Sequence, residues 1–466
     1  MAIKILAYGD AGQNTGFERV YREILSHLQN TGHYEVVGYG LGYNGNPEFK
    51  YPFPVYPAEH RGDYFGFDAL PAVCKKHKPD LIWVVQDMWN HLNYVVRKPV
   101  DIPYVGYFPV DTPNLKWSHA MAAGGMSQPV AYTAFGATEA AASIRHAVDI
   151  MHTGAKGRSL DTTELREWIS LPHPETESRL NLRLDYLSRW QNLDQWAIVP
   201  HGLDHNTFYP VDKKIARQEF EFGEDEFLVG SINTNQFRKQ QDRVMRVFAM
   251  LAEKVPEARL VMYCNGNNES GYDLHQAAAY LGISSKCYFV HDFVQELSDE
   301  SLNLLYNSCD VMINTAGGEG WGLTSMEGAA AGVAQMVPAW SATREVWGPH
   351  AMLLPILDWR MEPRHLNTCH ALVDVEAAGK QLVEFATNPD VRQRYTNSAK
   401  LIANAQPTWA QVGKSFEYIL RKTHATFGQP KKMSLEDVVN ARKGEVKSEL
   451  AGAVYMKDGR PVKVSV

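Results

Sequence analysis

Cysteine is scarce in this chain of 466 residues, with five at Cys74, Cys264, Cys287, Cys309 and Cys369, an odd number without a Cys-x-x-Cys pair. That argues against a disulfide framework, and the apolar runs beside most of them suit buried, reduced thiols. No uncharged apolar run approaches membrane-spanning length, and Met1-Ala2-Ile3-Lys4-Ile5-Leu6-Ala7-Tyr8 reaches Gly9-Asp10 too soon for a signal peptide. The expectation is a cytoplasmic protein with no transmembrane segment. Positive charge is not in excess either: the formal net charge of -7 gives no global basic field, so avid non-specific nucleic-acid binding is not expected. HExxH, a Cys/His cluster and an Asp-x-Asp pair are all missing, so no metal site and no metal-bound diphosphate are expected. Gly154-Ala155-Lys156-Gly157-Arg158-Ser159 lacks P-loop spacing and reads as a basic loop.

What is present is the material of a large packed protein. Hydrophobic residues make up 45% and charged residues 21%, with 11 Trp and 22 Tyr, at a length whose default is two large domains. Apolar Ile3–Tyr8 runs through a loop at Gly9–Gly16 into a helical pattern over Phe17–Leu28. Apolar runs at Glu35–Tyr39, Leu81–Val85, Tyr104–Phe108, Val130–Thr133 and Trp196–Val199 alternate with helix-like or loop segments, the pattern of a parallel sheet with crossovers. The pattern restarts at Phe227-Leu228-Val229-Gly230 and continues through a helix at Arg243–Lys254 and strands at Arg259–Tyr263, Cys287–Val290 and Val311–Asn314. Between the series, Pro200-His201-Gly202-Leu203-Asp204 fits a hinge. The predicted organisation is α/β: residues 1–200 as an amino-terminal Rossmann-like domain with an insertion at 151–195, 201–406 as a second, 407–424 as a crossover helix, and 425–466 as a tail. In that tail Asp458-Gly459 marks a hairpin, with Pro461 restricting its strand to an edge.

The most informative stretch runs from Val311 to Gly332: an apolar strand, then Gly317-Gly318-Glu319-Gly320-Trp321-Gly322, then a short helix opening at Leu323-Thr324 and carrying Glu327. Unpaired amides and the positive end of the helix dipole suit a diphosphate, and the glycines allow close backbone approach. Glu319 and Glu327, eight residues apart, would span about 12 Å were the whole interval helical, enough to serve opposite ends of one ligand. A carboxylate accepts two hydroxyl hydrogen bonds, so one glutamate can hold a ribose diol and the other a sugar. Either glutamate alone would more often be a solvated side chain; the combination with the strand and glycines reverses that.

Glu319-x7-Glu327, with Gly320-Trp321-Gly322-Leu323 between, resembles the donor-site signature of the retaining glycosyltransferases of family 4. Ile198–Pro210 is similar to that family's interdomain stretch, and Pro407-Thr408-Trp409 with the helical run after it is similar to its terminal crossover helix. The similarity spans most of residues 1–424 and is strongest over 198–350. It implies a GT-B fold of two facing Rossmann-like domains with a deep cleft, the first receiving the acceptor and the second holding a nucleotide-sugar donor. It also implies retention of anomeric configuration without a cofactor or metal.

By the same resemblance Lys239 is the donor-phosphate lysine, with Glu319 on the transferred sugar and Glu327 on the nucleotide, and Gly320, Trp321, Gly322, Leu323 and Thr324 line the donor. Where many members carry an arginine after the strand glycine, this chain has Ser231 after Gly230, so Arg238, or neutral donors from Asn235 and Gln236, would stand in. Gly12-Gln13-Asn14-Thr15-Gly16 is similar to the glycine loop across the cleft, with Gly16 close to the donor and Asn14 and Thr15 as acceptor-side candidates, although a plain strand-to-helix turn explains both equally. Asp111, where the family often has a histidine, is either an acceptor base or a helix cap.

Three rivals use the same features. A nicotinamide-dependent oxidoreductase would rest on Gly38-Tyr39-Gly40-Leu41-Gly42, but proline-rich Asn44–Pro57 offers no helix start for a dinucleotide. A glycosidase would use the glutamate pair without needing Lys239. A catalytically silent nucleotide-sugar binding protein would not need Glu319, Glu327 and Lys239 together. The acceptor is unassigned among glycan, lipid, protein and modified nucleic-acid base. Oligomeric state is likewise unassigned. Arg158, Arg166, Trp168, Arg179, Arg183, Arg189 and Trp190 make the insertion the first place to look for acceptor contacts, against an amphipathic cover built on Leu180, Leu184, Leu187 and Trp190.

Overall fold

The computed structural model describes residues 2–47, 49–99, 101–154, 187, 189–264, 266, 271–292, 294, 296–362, 368–428, 454–457 and 460–463. Most of the insertion, including Lys156–Ser159, Arg166, Trp168, Arg179, Leu180, Arg183 and Leu184, lies outside the described residues, as does most of the tail.

Strands β1 (Ile3–Asp10), β2 (Tyr34–Leu41), β3 (Val55–Pro57), β4 (Leu81–Val85), β5 (Tyr104–Phe108), β6 (Gln128–Ala131) and β7 (Ala197–Ile198) form one sheet in the order β3-β2-β1-β4-β5-β6-β7. Every pairing in it is parallel. Leu81–Val85 is buried at all five positions, which is why it reads as an unbroken apolar run: a parallel strand covered on both faces has no solvent side on which to alternate. The second sheet holds β8 (Phe227–Ile232), β9 (Ala258–Tyr263), β10 (Cys287–Phe289), β11 (Val311–Ile313), β12 (Ala334–Pro338) and β13 (Met352–Leu354), in the order β10-β9-β8-β11-β12-β13, again parallel throughout. Both orders are doubly wound, and each has its switch point beside its first strand: between β1 and β4, and between β8 and β11. Ligands of such sheets bind in the crevice at the carboxyl ends of those strands.

The helices that bear on the site are α1 (Gly16–Asn30), α2 (Met88–Arg97), α3 (Ala134–Gly154), α4 (Gln241–Ala252), α5 (Asp299–Ser308), α6 (Leu323–Ala330), α7 (Ser341–Trp347), α8 (Pro389–Ala405) and α9 (Trp409–Phe427). Helix α1 starts where the Thr15 side chain accepts from the Glu18 amide, and it buries Val20, Tyr21, Ile24, Leu25 and Leu28 at helical spacing. Helix α9 opens on a capping box between Thr408 and Gln411 and lays Trp409, Val412, Phe416 and Leu420 into the first domain's core beside Trp83 and Tyr107. The chain therefore leaves the second domain and returns to pack against the first. Two facing doubly wound units closed by a returning helix make the GT-B architecture that the sequence resemblance implies.

The glycines of the oxidoreductase alternative have a packing role. A Cβ on Gly38 would lie 2.3 Å from the Tyr21 hydroxyl, and one on Gly40 would lie 2.6 Å from the Ala11 side chain. The chain after them passes into β3, not into a helix whose amides could receive a pyrophosphate. In the tail, β16 (Val454–Lys457) and β17 (Arg460–Lys463) pair antiparallel with Lys457 opposite Arg460, and β14 (Ile356–Met361) and β15 (Cys369–Val373) form another antiparallel pair.

Candidate active site

The two switch points face each other, and the side chains of the sequence motifs gather between them. From the second domain, β11 leads into buried Asn314, whose side-chain Oδ1 accepts from the Ala316 amide at 2.8 Å and whose Nδ2 donates to Glu319 Oε1 at 3.1 Å. The loop is pinned further by the Gly317 amide, which donates to the Arg238 carbonyl at 2.7 Å. Arg238 and Lys239, in the turn after β8, both reach Glu319: Arg238 Nη1 lies 3.1 Å from Oε2, and the Lys239 ammonium pairs with Oε1. Burial pushes the Glu319 carboxyl upward, but Lys239 and then Arg238, with hydrogen bonds from Lys239 and Asn314, hold it far below the usual range, at about 2. The acid is ionised, and its charge is spent on the two cations.

Arg238 also reaches across the cleft, with Nε 3.3 Å from Asp111 Oδ2 of the first domain. Asp111 caps no helix among the described residues; its carboxylate instead faces Arg238 across the cleft. The glycines of the loop do something the sequence did not reveal. A Cβ on Gly318 would lie 2.2 Å from both the Asp111 carbonyl and Thr112 Cγ2, and one on Gly320 would lie 2.4 Å from Pro109 Cβ. Gly318 and Gly320 therefore let the opposite domain approach, a demand separate from ligand access. Gly322, at φ 96°, caps α6 with open space where its Cβ would be, and no side chain caps that helix. Leu323 and half-buried Thr324 form the first turn, and Leu323 Cδ1 faces Gly16 across the cleft at 3.3 Å from where a Cβ would stand.

Trp321 sits away from the open side of the loop. It is buried, its ring centroid 5.5 Å from that of hinge residue His201, in the core cluster that also holds Trp409. On the far side of α6, Glu327 is buried too. The Tyr306 hydroxyl donates to Oε2 at 2.8 Å, and Arg19 Nε of the first domain lies 3.4 Å from Oε1. Only the part of the interval from Leu323 onward is helical, so the two glutamates leave opposite ends of a loop and a short helix, not one helical face.

On the first domain, Thr15 is occupied as a helix cap and donates to Asp10 Oδ2 at 2.9 Å, so its hydroxyl serves the turn; Asn14 is exposed on the loop. Asp10 Oδ1 also accepts from Gln86 at 2.7 Å. Next to Gln86, at the start of α2, stands Asp87, which sequence reasoning missed. Burial, then the neighbouring Asp111, push its carboxyl up to about 7, against the pull of Arg238. The signal available was an aspartate two residues after an apolar strand and directly before a helix, at the strand next to β1. Among the described residues no helix is long and apolar enough to cross a membrane, and no three His, Cys, Asp or Glu side chains are grouped to hold a metal ion.

Residues 212–351, which contain Arg238, Lys239, Glu319 and Glu327, match the model of the family described as glycosyl transferases group 1. The chain is 30% identical over 150 residues to the mannosylfructose-phosphate synthase of Agrobacterium fabrum, a match covering 30% of this chain and 32% of that protein. It is 32% identical over 139 residues to a D-inositol 3-phosphate glycosyltransferase of Mycobacteroides abscessus, covering 29% of each. The matches thus span about a third of the curated relatives' length. Likeness of fold extends further. Sucrose-phosphate synthase of Thermosynechococcus elongatus superposes with a TM-score of 0.61 at 14% identity, covering 91% of this chain and all of that one. HepE of Anabaena, solved in complex with UDP-glucose, does so with 0.61 at 14% identity over 90% of this chain and all of its own. The fold is thus GT-B, and within it residues 212–351, with the Glu319-x7-Glu327 loop, are similar to the glycosyl transferases of group 1.

Proposed function

We propose that the chain transfers a hexosyl or pentosyl group from a nucleoside-diphosphate sugar to an acceptor hydroxyl or amine, with retention at the anomeric carbon and without a metal. The observation that carries this reading is the Glu319 carboxylate held by Lys239 and Arg238 beside the uncapped start of α6. Two cations beside a helix start fit a dianion. A diphosphate drawn to the α6 amides would take over the two cations, offsetting the charge that develops as the sugar–phosphate bond breaks, and would release Glu319 to accept hydroxyl hydrogen bonds from the sugar. Glu327, one turn further along α6, would take the ribose diol. Across the cleft Asp87, with its carboxyl near neutrality, is better suited than Arg238-bound Asp111 to receive a proton from the acceptor.

UDP-glucose, the ligand of the HepE complex, is the first donor to try, alongside GDP- and ADP-sugars, against glycan, lipid, protein and modified-base acceptors. Transfer should persist in excess chelator, and NMR should show the donor's anomeric configuration in the product. An inverted product, or activity abolished by chelator and restored by manganese, overturns the reading. Donor hydrolysis in the absence of acceptor separates an enzyme from a silent binder.

A further inference from the structure

The ribose end of the proposed donor site is built from both domains. Arg19, in the first turn of α1, carries its guanidinium across the cleft to α5, where Nη1 lies 3.2 Å from Asp299 Oδ2 and Nη2 pairs with Oδ1. The same guanidinium puts Nε 3.4 Å from Glu327 Oε1 and stacks over the Phe208 ring at 5.2 Å. We propose that Arg19 is a positioning residue of the donor site, tethering Glu327 through an ion pair between domains so that ribose recognition is complete only when the domains are closed. This rests on the reading of Glu327 as the diol acceptor.

The groups around Glu327 leave the task to Arg19. Helix α5 offers the Tyr306 hydroxyl and a second carboxylate, Asp299. Helix α8 packs against α6 through Ala399, Ile402 and Ala403, and β12 adds Gln335 near Gly328, none of them titratable. On this face the compensating cation thus comes from the first domain. A buried carboxylate without a cation is costly and tends to take up a proton. Burial does push the Glu327 carboxyl up, and Arg19 is the largest influence pulling it back down, ahead of the Tyr306 hydrogen bond. Glu23, on the next turn of α1, adds a further carboxyl to the Arg19 environment. The geometry also leaves room for a ligand. Each Glu327 oxygen has one protein partner, Tyr306 on Oε2 and Arg19 at ion-pair distance on Oε1, and a carboxylate has about four acceptor sites in all. One open site on each oxygen matches a vicinal diol.

The test measures affinity for whichever of UDP, GDP and ADP binds the wild type best, and for its 2′,3′-dideoxy analogue, between pH 6 and 8.5. The wild type should favour the diol by roughly tenfold or more, with little change across that range. Arg19→Gln should lose most of the preference at pH 6, where Glu327 takes up a proton, and regain part of it at pH 8.5. Arg19→Lys, which keeps the charge but not the fork, should keep the preference flat with pH. A folded Arg19→Gln with full, pH-independent preference overturns the proposal and leaves Arg19 a structural tie. Glu327→Gln isolates the underlying reading: if its diol preference equals that of the wild type, Glu327 is not on the ribose and both ideas fall. If no diphosphate binds the wild type, the donor site itself is misplaced.

Discussion

At the residue scale, the two glutamates are held by different partners, and that difference predicts different mutants. Glu319 neutralises Lys239 and Arg238. Glu319→Ala would leave two half-buried cations with less counter-charge, Arg238 keeping Asp111, and so lower stability by about 1–2 kcal/mol, yet it should leave diphosphate affinity unchanged or severalfold tighter, since Lys239 is then released. Turnover should fall because the sugar loses its orienting acceptor. Glu327→Ala should instead weaken diphosphate binding, by about 1.5–3 kcal/mol for a charged hydrogen bond. Calorimetry on both variants, with thermal melts and turnover, checks the pair; equal losses of affinity would show that the two ends are misassigned. These residues were legible because strand, glycines and carboxylates are adjacent in sequence. Arg19, Asp299 and Tyr306 were not, since they come from separate elements and nothing local marks an arginine on α1 as the partner of a glutamate 308 positions later.

At the element scale, the Gly-rich loop meets two demands at once. Its last glycine, Gly322, opens α6 toward the cleft, whereas Gly318 lets the first domain close onto the loop. Gly318→Ala should therefore act on closure and not on the fold of either domain. The new methyl group meets a backbone carbonyl and Thr112, neither of which can swing aside, so the domains must part by an ångström or so. Misplacement on that scale costs roughly a hundredfold in turnover. The expected outcome is transfer reduced about that much with a melting temperature within a few degrees of the wild type; a large drop in melting temperature would place the clash inside the domain. Sequence alone showed the glycines but not which surface they serve, because that surface belongs to Pro109–Thr112, some two hundred residues upstream. Central strands such as β4 were legible as apolar runs. Short β3 and the exposed β14, with Trp359 and Met361 facing solvent, escaped because neither has a continuous apolar run.

At the scale of the whole molecule, the domains are joined by a hinge packed as tightly as a core and by polar ties across the cleft. Besides the Arg19 and Arg238 pairs, the Glu345 carboxylate of α7 accepts from the Ala134 and Phe135 amides at 2.9 and 2.6 Å, capping α3 of the first domain from the second. The hinge centres on His201, which is buried among Tyr107, Tyr132, Trp321 and Trp409. The Tyr107 hydroxyl donates to the Val199 carbonyl at 2.8 Å, so at the 3.0 Å contact with His201 it must accept, and the imidazole carries its proton on Nδ1. Burial drives the His201 pKa down to about 3, so the folded protein keeps it neutral while an unfolded chain takes up a proton below about 6.5. Its contribution to stability is full above about pH 6.5 and is lost progressively as pH falls toward 3. His201→Phe keeps an aromatic ring in the hinge and removes that titration. At pH 7 the variant should be less stable by about 1 kcal/mol, for the lost hydrogen bond, and the gap should close or reverse by pH 5. His91 and His370, each lowered to about 4 by burial, should preserve part of the acid sensitivity in both proteins. Thermal melts of wild type and variant at several pH values between 5 and 8 check this; parallel curves would mean that His201 takes up its proton in the fold at the same pH as in the unfolded chain, and that the aromatic hinge admits water.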